Sequence, residues 1–120
     1  MNRNLQLLGI ARKAGLLAIG GEAASEAAGS GKAAAIIVSS DASEGAIRRA
    51  KKESEFCGAA YVAAPYTSAE LGAITGRGAP ATLAILDAGL AAGFVEGLAD
   101  YAPDKDSGAE GAGNAQRQSG

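Results

Sequence analysis

The sequence has no histidine, no tryptophan and a single cysteine, and two phenylalanines and three tyrosines are its only aromatic residues. Each shortage excludes something. Without histidine there is no Ser/His/Asp or Cys/His catalytic set and no Cys/His metal site. With Cys57 alone, no internal disulfide can form. Cys57 follows Phe56 at the end of a helical run and reads as a small buried hydrophobe rather than a nucleophile. Glu53 and Glu55 read as solvated surface rather than a catalytic carboxylate pair. Long hydrophobic runs are missing too. Gln6, Gly9, Arg12 and Lys13 interrupt the N-terminal apolar residues, so no signal peptide is expected. No stretch approaches the length that spans a bilayer. The chain is expected to be soluble and cytoplasmic.

A strong charge of either sign is also lacking, since the net charge is −2. The distribution is uneven, however. Residues 1–52 carry eight Lys or Arg against four Asp or Glu, for +4. Residues 53–99 carry Arg77 against Glu53, Glu55, Glu70, Asp87 and Glu96, for −4, and the remaining −2 falls in the C-terminal stretch. One basic face on a nearly neutral fold is compatible with this asymmetry.

What is present is small residues. Alanine and 18 glycines dominate the 120 residues. Small side chains bury little area each, so stability has to come from close packing between layers. From Pro103 on, "PDKDSGAEGAGNAQRQSG" has no apolar residue larger than alanine. It cannot bury enough surface to offset its ordering entropy. One folded domain over residues 1–100 and a disordered tail over 101–120 are therefore expected.

Within the domain, helix and strand signals alternate. Asn2 or Asn4 is placed to cap a first helix, whose Leu5, Leu8 and Ala11, flanked by Leu7 and Ala14, form an apolar stripe. Gly15 ends it, and "LLAIG" is a short extended piece. Glu22–Ala28 is a helix stopped by Gly29 and Gly31. "AAAIIVS" is apolar on consecutive positions, as in a strand buried on both faces. Asp41 and Glu44 have capping-box spacing, with Asp41 as the N-cap of a third helix. That helix turns Ala46, Ile47, Ala50 and Ser54 inward and Arg48, Arg49, Lys51 and Lys52 toward solvent. "AAYVAAP" is the next strand. Thr67 or Ser68, with Glu70, caps the short helix "SAELGAIT". "GRGAP" is a loop, "ATLAILD" a buried strand, and "AGLAAGFVEGLADY" a last helix with Leu90, Phe94 and Leu98 on one face. Such alternation predicts an α/β sheet covered by helices on both faces.

Gly29, Ser30, Gly31 and Lys32 spell GSGK, which looks like part of a phosphate loop. The resemblance fails on chemistry. The motif requires glycine where Glu26 stands and a hydroxyl where Ala33 stands. Its order is also reversed, because a helix precedes it and a strand follows. The nearest helix end then carries negative partial charge, which repels phosphate. GSGK reads as a helix stop leading into a strand.

Taken together, "LLGIARKAGLLAIGGEAA", "SGKAAAIIVSSDAS", "ELGAITGR", "ATLAILD" and "GLAAGF" resemble the ribosomal protein L-seven-Ae / L-thirty-e superfamily, most closely its small bacterial YlxQ-like branch. The likeness runs over residues 5–98. The first helix ending in RKAG, the Gly21-Glu22 step, the SGKA strand start, the DAS cap and Leu71-Gly72 all fall in order. The resemblance implies a three-layer α/β/α sandwich around a small mixed sheet of about four strands. It also implies a non-enzymatic, monomeric RNA-binding protein without metal or cofactor, associated with the ribosome and its RNA. The better-known members of this family bind kink-turn RNA, a sharply bent internal loop. The start of their second helix approaches the guanines, and the loop before the last strand covers flipped-out nucleotides. The first region corresponds here to Arg12, Lys13, Gly20, Gly21, Glu22, Ser25 and Glu26. The second corresponds to Gly76, Arg77, Gly78 and Ala79.

Residue chemistry makes sense of that correspondence. Glycines let backbone amides approach RNA closely, and a helix start offers unpaired N–H groups to phosphate oxygens. Glu22 can accept from guanine N1 or N2 groups, while Arg12, Lys13 and Arg77 can neutralise phosphates. A bent RNA exposes base edges that a regular helix hides. Members that grip kink-turns carry an Asn-Glu step at the start of the helix and a lysine one turn on. The correspondence puts Glu22 and Ala23 at the step and Glu26 at the lysine. A carboxylate there removes a phosphate contact, a loss on the order of 1–3 kcal/mol. Two other roles fit the same fold: a protein-interaction module, or a targeting subunit for an RNA-modifying enzyme.

Overall fold

The computed structural model describes residues 3–99. The tail expected over 101–120, and Asn2 as a first-helix cap, lie outside the described residues. The elements alternate as the sequence predicts: α1 (Arg3–Lys13), β1 (Leu17–Ile19), α2 (Gly21–Gly29), β2 (Ala35–Val38), α3 (Glu44–Cys57), β3 (Ala60–Ala63), α4 (Ser68–Thr75), β4 (Thr82–Ile85) and α5 (Ala88–Ala99).

The four strands form one mixed sheet in the order β1-β4-β2-β3. β2 and β3 are parallel, with Ile37 opposite Val62. β4 runs antiparallel to both its neighbours, placing Leu83 between Ile19 and Ile37. The central strands β2 and β4 are buried at every position, which is why their sequences are apolar on consecutive residues rather than alternating.

Side-chain alternation along these strands divides the core in two. Ala35, Ile37, Leu83 and Ile85 point to one face, where they join Leu8 of α1, Leu71 of α4 and Phe94 of α5. Ile36, Val38 and Ala84 point to the other, where they meet Ala24, Ala27 and Ala28 of α2 and Ala50 of α3. The result is a three-layer α/β/α sandwich. Cys57 is half-buried and packs against the second cluster. Leu90 and Leu98 flank Phe94 against the first.

Close approach replaces large anchors between α1 and α5. A Cβ on Gly97 would overlap Asn4 Oδ1. The space is taken by the Asn4 side chain, which is buried and donates from Nδ2 to the Phe94 carbonyl at 3.0 Å. Asn4 is thus no helix cap. It lies inside α1 and ties that helix to α5, because a buried amide must find partners and the neighbouring helix supplies one.

The α3 cap also differs from expectation. Ser43, in extended backbone geometry, is the N-cap, and its hydroxyl accepts from Ala46 N at 3.1 Å. Asp41 lies too far upstream to reach the first turn of α3. Its carboxylate instead accepts from Ser68 N at 2.9 Å and Ser68 Oγ at 3.0 Å, at the start of α4. The nearby Ser39 hydroxyl does most to hold the Asp41 carboxyl below the usual carboxylate range, ahead of Ser68, although it lies outside regular hydrogen-bond geometry. The α4 cap follows the sequence: Thr67 and Glu70 form a reciprocal capping box.

Candidate functional site

The GSGK stretch closes α2, as its composition suggests. Ser30 N donates to Glu26 O, Gly31 N to Ala28 O and Lys32 N to Ala27 O. Gly31, at φ 75°, makes the reversal toward β2. These amides are consumed by the helix end, and none is presented to a phosphate.

The other end of α2 is open. Gly20, at φ 103° and ψ 160°, is its N-cap, and no side chain caps the first turn. That backbone region is held comfortably only by glycine. The amides of Gly21, Glu22 and Ala23 therefore lack the side-chain partner that helix starts usually have. Glu22 is exposed within this first turn, where its charge also complements the helix dipole.

Sheet pairing brings the second predicted region to the same place. Gly20 N donates to Thr82 O at 2.8 Å. Thr82 opens β4, and the segment Gly76–Ala81 leads directly into it. This loop is folded back on α4: Gly76 N and Arg77 N both donate to Gly72 O, at 2.8 and 3.2 Å. A Cβ on Gly72 would overlap the Gly78 carbonyl oxygen, so the loop packs onto bare helix backbone. Arg77, Gly78 and Ala79 are exposed. Arg12, in the last turn of α1, lays its guanidinium against Gly76, with Nη2 and Cζ within 3.5–3.6 Å of where a Cβ would stand. Lys13 is exposed beside it in the sequence.

Two expected residues face elsewhere. Ser25 turns toward α3 and hydrogen-bonds Glu53, and it accepts from Arg49 Nη2 at 2.6 Å. Glu26 lies on the opposite flank of α2, on a shallow groove of about 470 Å³ beside the edge strand β1, with Leu17, Ala18, Lys32 and Leu86. Glu53, expected to be solvated, is instead held by Ser25 and by Arg49 Nε at 3.1 Å. Among the described residues no cluster of three or more His, Cys, Asp or Glu could hold a metal ion. Nor is any helix there long and apolar enough to cross a membrane.

No protein-family model matches the sequence, and no curated protein matches it. Solved structures do match its fold. A protein of unknown function from Bacillus halodurans superposes with a TM-score of 0.75 at 22% identity, over 82% of this chain and 99% of that one. The 15.5kD RNA binding protein of Giardia lamblia superposes with a TM-score of 0.58 at 19% identity, over 80% of this chain and 84% of that one. The chain shares its fold with an RNA-binding protein. At these identities the likeness is one of architecture.

Arg49 lies on the solvent side of α3, as the sequence predicts, and with Glu53 it also lines a small cleft together with Gly21 and Thr82. The Arg49/Glu53 spacing of four residues on a helix was the available signal.

Proposed function

We propose that this protein is a non-enzymatic RNA-binding protein that recognises a sharply bent, kink-turn-like RNA. On this reading it belongs to the YlxQ-like branch of the L-seven-Ae / L-thirty-e superfamily. It acts in the cytoplasm as a monomer on ribosomal RNA. The observation that carries the reading is the joining of two features at one end of the sheet. The uncapped start of α2 is linked through Gly20 and Thr82 to the glycine-rich loop that displays Arg77.

The arrangement suits a folded single strand. Amides of Gly21–Ala23 donate to phosphate oxygens, for which a helix start is a ready binding site. Glu22 accepts from a guanine edge, a contact that a cation cannot make. Arg12, Lys13 and Arg77 neutralise flanking phosphates. Bases turned out of the bend are accessible to the 76–79 loop. No reaction step is required of any of these groups.

Filter binding with a kink-turn RNA, and with a straight duplex of equal length, tests the proposal at two salt concentrations. The bent RNA is expected to bind more tightly, and binding is expected to weaken as salt rises. Equal affinity for the two RNAs, or no complex with either, overturns it. Glu26 on the groove at the sheet edge favours a second reading, that of a protein-interaction module. That role would appear as a partner captured from lysate equally well before and after ribonuclease treatment.

A further inference from the structure

The ring formed by Ser25, Arg49 and Glu53 joins α2 to α3 at the flank of the site. Arg49 Nε donates to Glu53 Oε2 at 3.1 Å, and its Nη2 donates to Ser25 Oγ at 2.6 Å. Ser25 Oγ in turn donates to the same Glu53 oxygen. The guanidinium is thus fixed along one edge, while Nη1 has no hydrogen-bond partner among the described residues. Exposure divides the pair unequally: the Glu53 side chain is 19% exposed and that of Arg49 58%. The carboxylate is the seated anchor and the guanidinium is presented outward.

An exposed ion pair of this spacing contributes little to stability, because ordering two long side chains offsets the Coulomb gain. Here a third group, the Ser25 hydroxyl, constrains the pair further. What such ordering does achieve is preorganisation. A planar guanidinium held on one edge keeps its other donors in a fixed fork, the geometry that matches a phosphate. Its location gives that fork a use. Arg49 and Glu53 line a cleft of about 70 Å³ with Ala46, Ala50, Thr82 and Gly21, the first residue of α2.

We propose that Arg49 is a phosphate-gripping residue of the interface, oriented by Ser25 and Glu53 so that its free edge meets the RNA backbone beside the start of α2. The inference rests on the RNA-binding reading above. It adds α3 as a third contributing element. It also assigns Ser25 a positioning role rather than direct contact.

The test uses the full chain and the kink-turn RNA, with dissociation constants measured over a salt series. Arg49→Gln is expected to weaken binding about tenfold and to lower the slope of log affinity against log salt by roughly one phosphate's worth. Arg49→Lys restores the slope but only part of the affinity, since an ammonium lacks the fork. Arg48→Gln, one residue away on the same helix, leaves both quantities near wild type. A folded Arg49→Gln variant with wild-type affinity and slope overturns the inference while leaving the RNA reading intact. So does an equal loss in Arg48→Gln, which would mean a diffuse basic surface. If wild-type protein binds no RNA, both fall together. Should Arg49→Gln fail to fold, Glu53→Gln decides. It keeps the side-chain volume and loosens the hold on Arg49, so a several-fold loss with an unchanged salt slope supports the positioning role. Unchanged affinity rules it out.

Discussion

Gly72 and Gly78 touch backbone to backbone: a Cβ on Gly72 would overlap the Gly78 carbonyl oxygen and stand 2.8 Å from that of Arg77. The 76–79 loop is therefore held against α4 at a point where no side chain fits. Gly72→Ala has to lift the loop, since neither obstructing atom belongs to a flexible side chain. A destabilisation of about 2–3 kcal/mol is expected, read by urea denaturation. Backbone chemical shifts at 76–79 should move with it, and RNA affinity should fall. A variant as stable as wild type would mean that the loop is not seated as described.

Gly97 and Asn4 give a prediction with a sign reversal. Gly97→Ala alone should destabilise, because its Cβ takes the space of the Asn4 amide. Asn4→Ala alone should cost about 1–3 kcal/mol, since the amide no longer donates to the buried Phe94 carbonyl. In the Asn4→Ala background the clash is gone and alanine is the better helix former, by roughly 0.5–1 kcal/mol. Gly97→Ala should then be neutral or stabilising. Denaturation of the four proteins of the cycle measures the coupling.

Asp41 sets a pH dependence. Its carboxyl is held low by the Ser39 and Ser68 hydroxyls and the Ser68 amide. A depressed carboxylate stabilises the fold above its unfolded pKa of about 3.9, and this contribution disappears as pH falls through the lower folded value. Asp41→Asn should therefore melt below wild type at neutral pH, and the two melting curves should converge in acid below about pH 4. A constant difference across the range would exclude the carboxylate charge as the cause.

Glu26 and Arg77 test the charge pattern of the proposed interface. Because Glu26 faces the groove beside β1, Glu26→Lys should change kink-turn RNA affinity by no more than about twofold. A gain of about tenfold would put the side chain near a phosphate instead. Arg77→Ala should weaken binding several-fold, and an equal dissociation constant would remove the loop from the site.

The order and type of the nine elements among the described residues were legible because helix stops, buried apolar runs and loop glycines repeat along the chain. What escaped the sequence was long-range pairing. Asp41 at capping-box distance from Glu44 looks like the cap of α3, but Ser43 has equal local chemistry and better reach. The true partner of Asp41 is Ser68, 27 residues on. Asn4 resembled a cap for the same reason, until a helix 90 residues away took its amide. At the candidate site, Gly20, Gly21, Glu22 and Arg77 follow from the family resemblance, and the structure brings the start of α2 and the 76–79 loop to one end of the sheet. Which flank of α2 faces α3 is not encoded in one helix alone, so the pairing of Ser25 with Arg49 and Glu53 had no local signal, although Arg49 does lie on the solvent side of α3 as its sequence position predicts.

The strand order β1-β4-β2-β3 has a consequence for synthesis. Among the described residues, the last strand made is inserted between the first and second, and it is the only partner of β1. While the chain emerges from its N-terminus, β2 and β3 can pair, but β1 stays single and the middle of the sheet stays empty until residues 82–85 are available. Any product that stops in the 76–81 loop should behave as an unfolded peptide, whatever helices it already contains.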